Sequence, residues 1–195
     1  ATLDLGIRAG RVPDMTDDLD GVAEKAAGAS KIRIMMAQAN LARERLNDAD
    51  RAMDIYERIL ELEPGSMDVL RAMDDLLASQ HRDAERIPLL NEMASGATTV
   101  EDRRETHLKI GDLCESTGDF DGAVWSFRYV VDRRPAEDGI DKLGLDAVDR
   151  LLALYQSLGR TNEAIALRRL VGGLVEDNDA RRRHLLIAAR SLRDD

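Results

Sequence analysis

Apolar residues recur along the chain at intervals of three and four, in short blocks separated by polar breaks, and each block reads as one amphipathic helix. Ile32, Met35, Met36, Ala39, Ala42 and Leu46 form the first full stripe over 31–46, after which Asn47 and Asp48 supply stop and cap chemistry. From Asp50 to Leu62 a facing stripe follows on Ala52, Ile55, Tyr56, Ile59, Leu60 and Leu62. Pro64-Gly65-Ser66 closes it, with Ser66 expected to cap the next helix. That helix spans about 67–80 on Val69, Leu70, Met73, Leu76 and Leu77, and its companion at 83–95 contains Pro88, which should shorten or bend it by removing a backbone hydrogen bond. The clearest pair covers 99–117 and 119–133, turned at Gly118-Asp119, with Gly111 where the two backbones approach. A further pair covers 141–158 and 161–176, turned at Gly159 and capped by Thr161. At the ends, Met15, Leu19, Val22 and Ala26 read as a second helix behind a stub around Leu3 to Ala9, and Arg181 to Leu192 reads as a helix without a companion.

The pairs repeat one another. Ala123, Phe127, Val130 and Pro135 follow Ile110, Gly111 and Cys114, and Ala52, Tyr56, Ile59 and Pro64 show the same offsets. Arg86, Leu90 and Met93 lie 34 residues beyond Ala52, Tyr56 and Ile59, while Ala164, Arg168 and Val171 repeat the spacing with Arg168 in the aromatic place and no proline after it. Well-formed units therefore alternate with degenerate ones. A period near 34, small residues where two helices touch and a closing proline form the tetratricopeptide signature. Over most of residues 30–176 the chain resembles the tetratricopeptide repeat (TPR) family, and in its alternating grammar a segment of a large bacterial multi-repeat TPR protein. The resemblance implies an all-α, right-handed superhelical solenoid of antiparallel helix hairpins. The repeats would be 30–65, 66–98, 99–139 and 140–177, with a partial repeat at 1–29 and a terminal helix at 178–195, all in one solenoid over 1–195. The ragged ends suggest further flanking repeats, or else the atypical caps that solenoids carry for solubility.

Composition narrows the functional classes. A net charge of −10 repels nucleic-acid phosphates and anionic membranes and attracts basic partners. No run approaches the roughly 18 apolar residues of a membrane-spanning helix. The single cysteine, Cys114, excludes an internal disulfide framework and stands at a helix-packing place, where a thiol behaves as a small buried hydrophobe. Nothing demands an oxidising compartment, which favours the cytoplasm. His81, His107 and His184 are scattered, so no metal site is expected. No carboxylate stands with a His, Ser or Cys at a spacing suited to acid–base or nucleophilic work, and Gly172-Gly173 lies in a helical stretch rather than a phosphate loop. Neither catalytic residues nor a cofactor are expected. Arg181-Arg182-Arg183 reads as the solvated face of its helix.

In the TPR family the first helix of each pair lines a concave groove that holds peptides. By register that groove carries Gln38, Leu41, Glu44, Arg45, Asp68, Arg71, Asp75, Glu105, Lys109, Asp112, Glu115, Asp146, Asp149, Arg150 and Gln156, eight acids against four bases. Arg71, Asp75, Lys109, Asp112, Asp149 and Arg150 are the candidate contacts. An acid-rich groove suits a basic or amphipathic polypeptide, with charge acting mainly on encounter rate and specificity; the bland alternative is a solvated helix face. The carboxylate clamp of chaperone-binding relatives is missing: its places hold Ala37, Leu41, Ala72, Glu105 and Lys109 or, read one repeat later, Arg71, Asp75, Lys109, Asp146 and Arg150, where interleaved carboxylates would repel the ligand. On the convex side Trp125 and Tyr129 form a second candidate contact, unless the 136–144 connection, with Ile140 and Leu143, folds over the indole. The reading is a non-catalytic protein–protein interaction module. The alternative is a regulatory sensor domain that binds a small peptide or metabolite and controls an attached effector.

Overall fold

The computed structural model describes residues 19, 21–133, 139–174, 186 and 187. The expected stub at 3–9, residues 15–18 and 20 of the helix begun by Met15, residues 136–138 of the 136–144 connection and nearly all of the Arg181 to Leu192 helix lie outside these residues; 19 and 21–25 are helical. Among the described residues all regular structure is helical. The helices are α1 (Gly28–Leu41), continued by a π-helical turn (Ala42–Leu46), α2 (Ala49–Leu62), α3 (Met67–Ser79), α4 (Asp83–Gly96), α5 (Val100–Thr117), α6 (Phe120–Asp132), α7 (Lys142–Ser157) and α8 (Thr161–Leu174). The chain divides into two compact units, Ala1–Arg82 and Asp83–Asp195.

In the first unit α1 packs on α2, and α2 on α3. Ala39, Ala52, Tyr56 and Ile59 are fully buried at that seam. The Tyr56 hydroxyl donates to Asn40 Oδ1 at 3.2 Å, which satisfies two polar groups that would otherwise weaken the interior. The π-helical turn ends where Asn47 enters the left-handed region at φ 52°, a conformation asparagine tolerates better than most residues. Asp48 then caps α2 by accepting from the Arg51 amide. Ser66 stands at the N-cap of α3 but makes no side-chain cap bond, contrary to the expectation from its type.

In the second unit every helix from α4 to α8 packs on the next. Gly118 adopts φ 84° and Asp119 caps α6 through the Gly122 amide, so α5 reverses directly into α6 and the two run antiparallel. Gly111 is required at this crossing, because a methyl group there would overlap the Phe127 ring. Gly111 and Phe127 stand 71 residues beyond Asn40 and Tyr56, so the same crossing is packed dry in one hairpin and hydrogen-bonded in the other. Pro88 does not shorten its helix, since α4 runs for 14 residues with the proline exposed inside it.

Arg104 is the polar keystone of this unit. Its side chain has no exposed surface, yet its guanidinium pairs with both Asp141 oxygens at 2.7 and 2.8 Å, and it also bonds Glu101 at 2.9 Å and the Val130 carbonyl at 3.0 Å. Asp141 in turn caps α7 by accepting from the Gly144 amide. One side chain on α5 thereby fixes the end of α6 and the start of α7. The Arg104 guanidinium also holds the Asp141 carboxyl below the usual carboxylate range.

Candidate functional site

Successive first helices of the second unit, α5 and α7, present a shared polar face. The Arg150 guanidinium lies 3.3 Å from Asp112 Oδ1, and Lys109 and Asp149 stand exposed beside this pair. Glu105, Glu115, Asp146 and Gln156 also keep solvent exposure. Five carboxylates (Glu105, Asp112, Glu115, Asp146, Asp149) therefore face two cations (Lys109, Arg150). Asp112 is unusual among them. Its Oδ1 atom is buried and, despite the nearby Arg150, has no aligned hydrogen-bond partner among the described residues; burial pushes the carboxyl above its ordinary value against the opposing pull of Arg150.

The remaining groove candidates belong to the first unit. Arg71 and Asp75 are exposed on α3, with Arg71 paired to Asp68 at 3.7 Å. Asp75 acts electrostatically on Arg43, which bonds Glu44 at 2.9 Å. Arg45 is exposed, whereas Gln38 and Leu41 are each only 5% exposed, Leu41 packed in the core and Gln38 at the wall of a cleft. A cleft of about 280 Å³ in this unit is lined by Ala23, Glu24, Lys31, Gln38 and Arg58.

On α6 Trp125 is 58% exposed, and the described part of the connection, from Gly139 onward, leaves the indole open. The indole meets His107 of α5 edge-on at 5.0 Å between centroids, and the Tyr129 ring lies 4.0 Å from the same imidazole. His107 is 5% exposed and its Nδ1 has no hydrogen-bond partner among the described residues. Burial, reinforced by the charge of Arg103, holds its basicity below the ordinary histidine value. The spacing of Trp125 and Tyr129 predicts their common face; the histidine beneath them was hidden because His107 reads in sequence as one more repeat position on the other helix. Arg104 gave no signal either, since its partners are 26 and 37 residues away.

Cys114 is buried, and burial raises its thiol pKa, so it packs as an inert hydrophobe. Among the described residues no His, Cys, Asp and Glu cluster could hold a metal ion, and no helix is long and apolar enough to cross a membrane.

No family model matches the chain, and no curated protein sequence matches it. Solved structures do. The putative kinesin light chain of Podosopora anserina, described by its nearly identical TPR-like repeats, aligns with a TM-score of 0.51 at 15% identity over 88% of this chain and 90% of that one. MamA AMB-1 aligns with a TM-score of 0.50 at 19% identity over 87% of this chain and 85% of the other. A further MamA structure gives a TM-score of 0.50 at 16% identity, over 82% and 81% of the two chains. At such identities the likeness is one of fold, and it agrees with the paired helices and buried repeat positions: the chain has the architecture of a tetratricopeptide-like helical repeat protein.

Proposed function

We propose that this protein is a non-catalytic interaction module that binds a basic polypeptide segment along the acid-rich face of α5 and α7. The observation that carries this reading is the concentration of carboxylates around the Asp112–Arg150 pair, on two first helices joined across a repeat boundary. Long-range attraction over roughly 10 Å at ordinary salt would draw a cationic segment to such a face. Lys109 and Arg150 would fix its register by tolerating a carboxylate only at matching places. On the first unit, Arg71 and Asp75 are a separate candidate contact. The test is fluorescence anisotropy with labelled Lys/Arg-rich and Glu/Asp-rich peptides of equal length, repeated with a Glu105→Lys, Asp149→Lys double variant. Preferential, salt-sensitive capture of the basic peptide, lost in the variant, is expected; equal affinity for both peptides would sink the reading.

A second reading, a sensor domain that takes a small peptide or metabolite, finds its support in the cleft beside Lys31, Gln38 and Arg58. Its signature would be ligand-induced protection from hydrogen exchange in 21–62, with no protection on α5 and α7.

A further inference from the structure

We infer that the aromatic face of α6 is a second docking surface, and that it takes a segment of the opposite sign: an acidic peptide with an apolar anchor. Three observations meet there. First, Trp125 and Tyr129 stand 5.9 Å apart between centroids, and both rest on the buried His107 ring. The indole is thus exposed at 58% and yet buttressed from below. A large aromatic already held in place loses little conformational freedom when a partner covers it, which is why such groups dominate binding energy.

Second, the charge around this cluster opposes that of the whole chain. The Arg133 guanidinium lies 5.6 Å from the Tyr129 ring centroid, and the charge felt at His107 is that of Arg103. Arg103 is held on the Ala94 and Ala97 carbonyls at 3.0 and 2.8 Å. Third, the two carboxylates of α6 are each engaged with an arginine, Asp121 with Arg160 at 2.7 Å and Asp132 with Arg128 at 3.5 Å. Among the described residues the charge left beside the aromatic pair is therefore positive. A partner carboxylate reaching Arg133 while an aliphatic or aromatic side chain lies on the indole satisfies both features, whereas a basic segment would meet like charge. His107 and Asp112 are about 140° apart around α5, so this face and the acid-rich face look in different directions.

The chain contains a single tryptophan, so Trp125 emission reports this site alone. The probes are two synthetic peptides of equal length, one built from Glu, Leu and Phe, the other with every Glu replaced by Lys. The intact chain should bind the acidic peptide with a shift of Trp125 emission. By anisotropy of the labelled peptide, affinity should fall at least tenfold in Arg133→Glu and in Trp125→Ala, and stay unchanged in Glu61→Lys, a charge reversal of an exposed carboxylate on α2. Arg133 is exposed, so Arg133→Glu removes no packing and tests the inference apart from the loss of indole cover over His107 in Trp125→Ala. A Lys peptide that shifts the emission as strongly, an acidic peptide that binds without moving it, or undiminished binding by Arg133→Glu would each overturn the inference.

Discussion

A guanidinium with no solvent contact is tolerated at Arg104 only because a carboxylate pair, a second carboxylate and a backbone carbonyl absorb its donors. Removing it leaves those acceptors and the α7 cap without their shared partner. Arg104→Met should therefore destabilise the protein by about 3 kcal/mol, at the low end for a broken buried pair because Asp141 retains some exposure to water; the shift in denaturant midpoint measures it. The pH dependence follows from the lowered Asp141 pKa. A depressed carboxylate contributes stability above the unfolded value of about 3.9, and loses it as pH falls through the folded value. The gap between wild type and Arg104→Met should thus narrow on acidification below about pH 4. Asp112 has the opposite sign. Its raised pKa means the ionised form is disfavoured in the fold, so Asp112→Asn should stabilise the protein at neutral pH, with the gain vanishing once Asp112 itself is protonated. For His107 the lowered pKa predicts stability that declines as pH drops through about 6.5, a slope that His107→Phe should flatten in thermal melts.

At the scale of the helices, Gly111 and Pro88 make contrasting predictions. Gly111→Ala forces a methyl into Phe127 and should cost about 1–3 kcal/mol, as overpacking does; adding Phe127→Leu should recover part of that loss, a coupling visible in a double-mutant cycle. Pro88→Ala restores a backbone donor inside α4, worth about 3 kcal/mol, and gives back about 1 kcal/mol through a freer unfolded chain, so a net stabilisation of about 2 kcal/mol is expected in urea unfolding. Much of this level is legible in the sequence. Ala52, Tyr56, Ile59, Ala123, Phe127 and Val130 announce themselves by period and are buried without exception. What is not legible is how a helix accommodates an exception. Nothing in the residue types says that α4 continues through Pro88, or that α1 widens into a π-helical turn before Asn47.

Across the molecule the division at Arg82 and Asp83 bears on cooperativity, because repeat proteins gain stability from each unit and its neighbours rather than from one central core. Arg104→Met should lower hydrogen-exchange protection over 100–155 while leaving 28–79 close to wild type; equal loss in both stretches would argue for a single cooperative body. The candidate surfaces were legible unevenly at this scale. The exposure of charges such as Lys109, Asp149 and Arg150 follows from helix register alone, whereas the burial of Gln38 and Leu41 does not, because register is set by packing on α2, which residue type does not encode. The hydrogen-bonded crossing of Asn40 and Tyr56 carries a last consequence. The two hairpins close equivalent crossings by different chemistry, a phenol–amide bond in one and a ring on glycine in the other. A chimaera joining the Asn40 helix to the Phe127 helix would leave the half-buried Asn40 amide against an apolar ring without its phenol partner, so the halves of the two hairpins are not freely exchangeable.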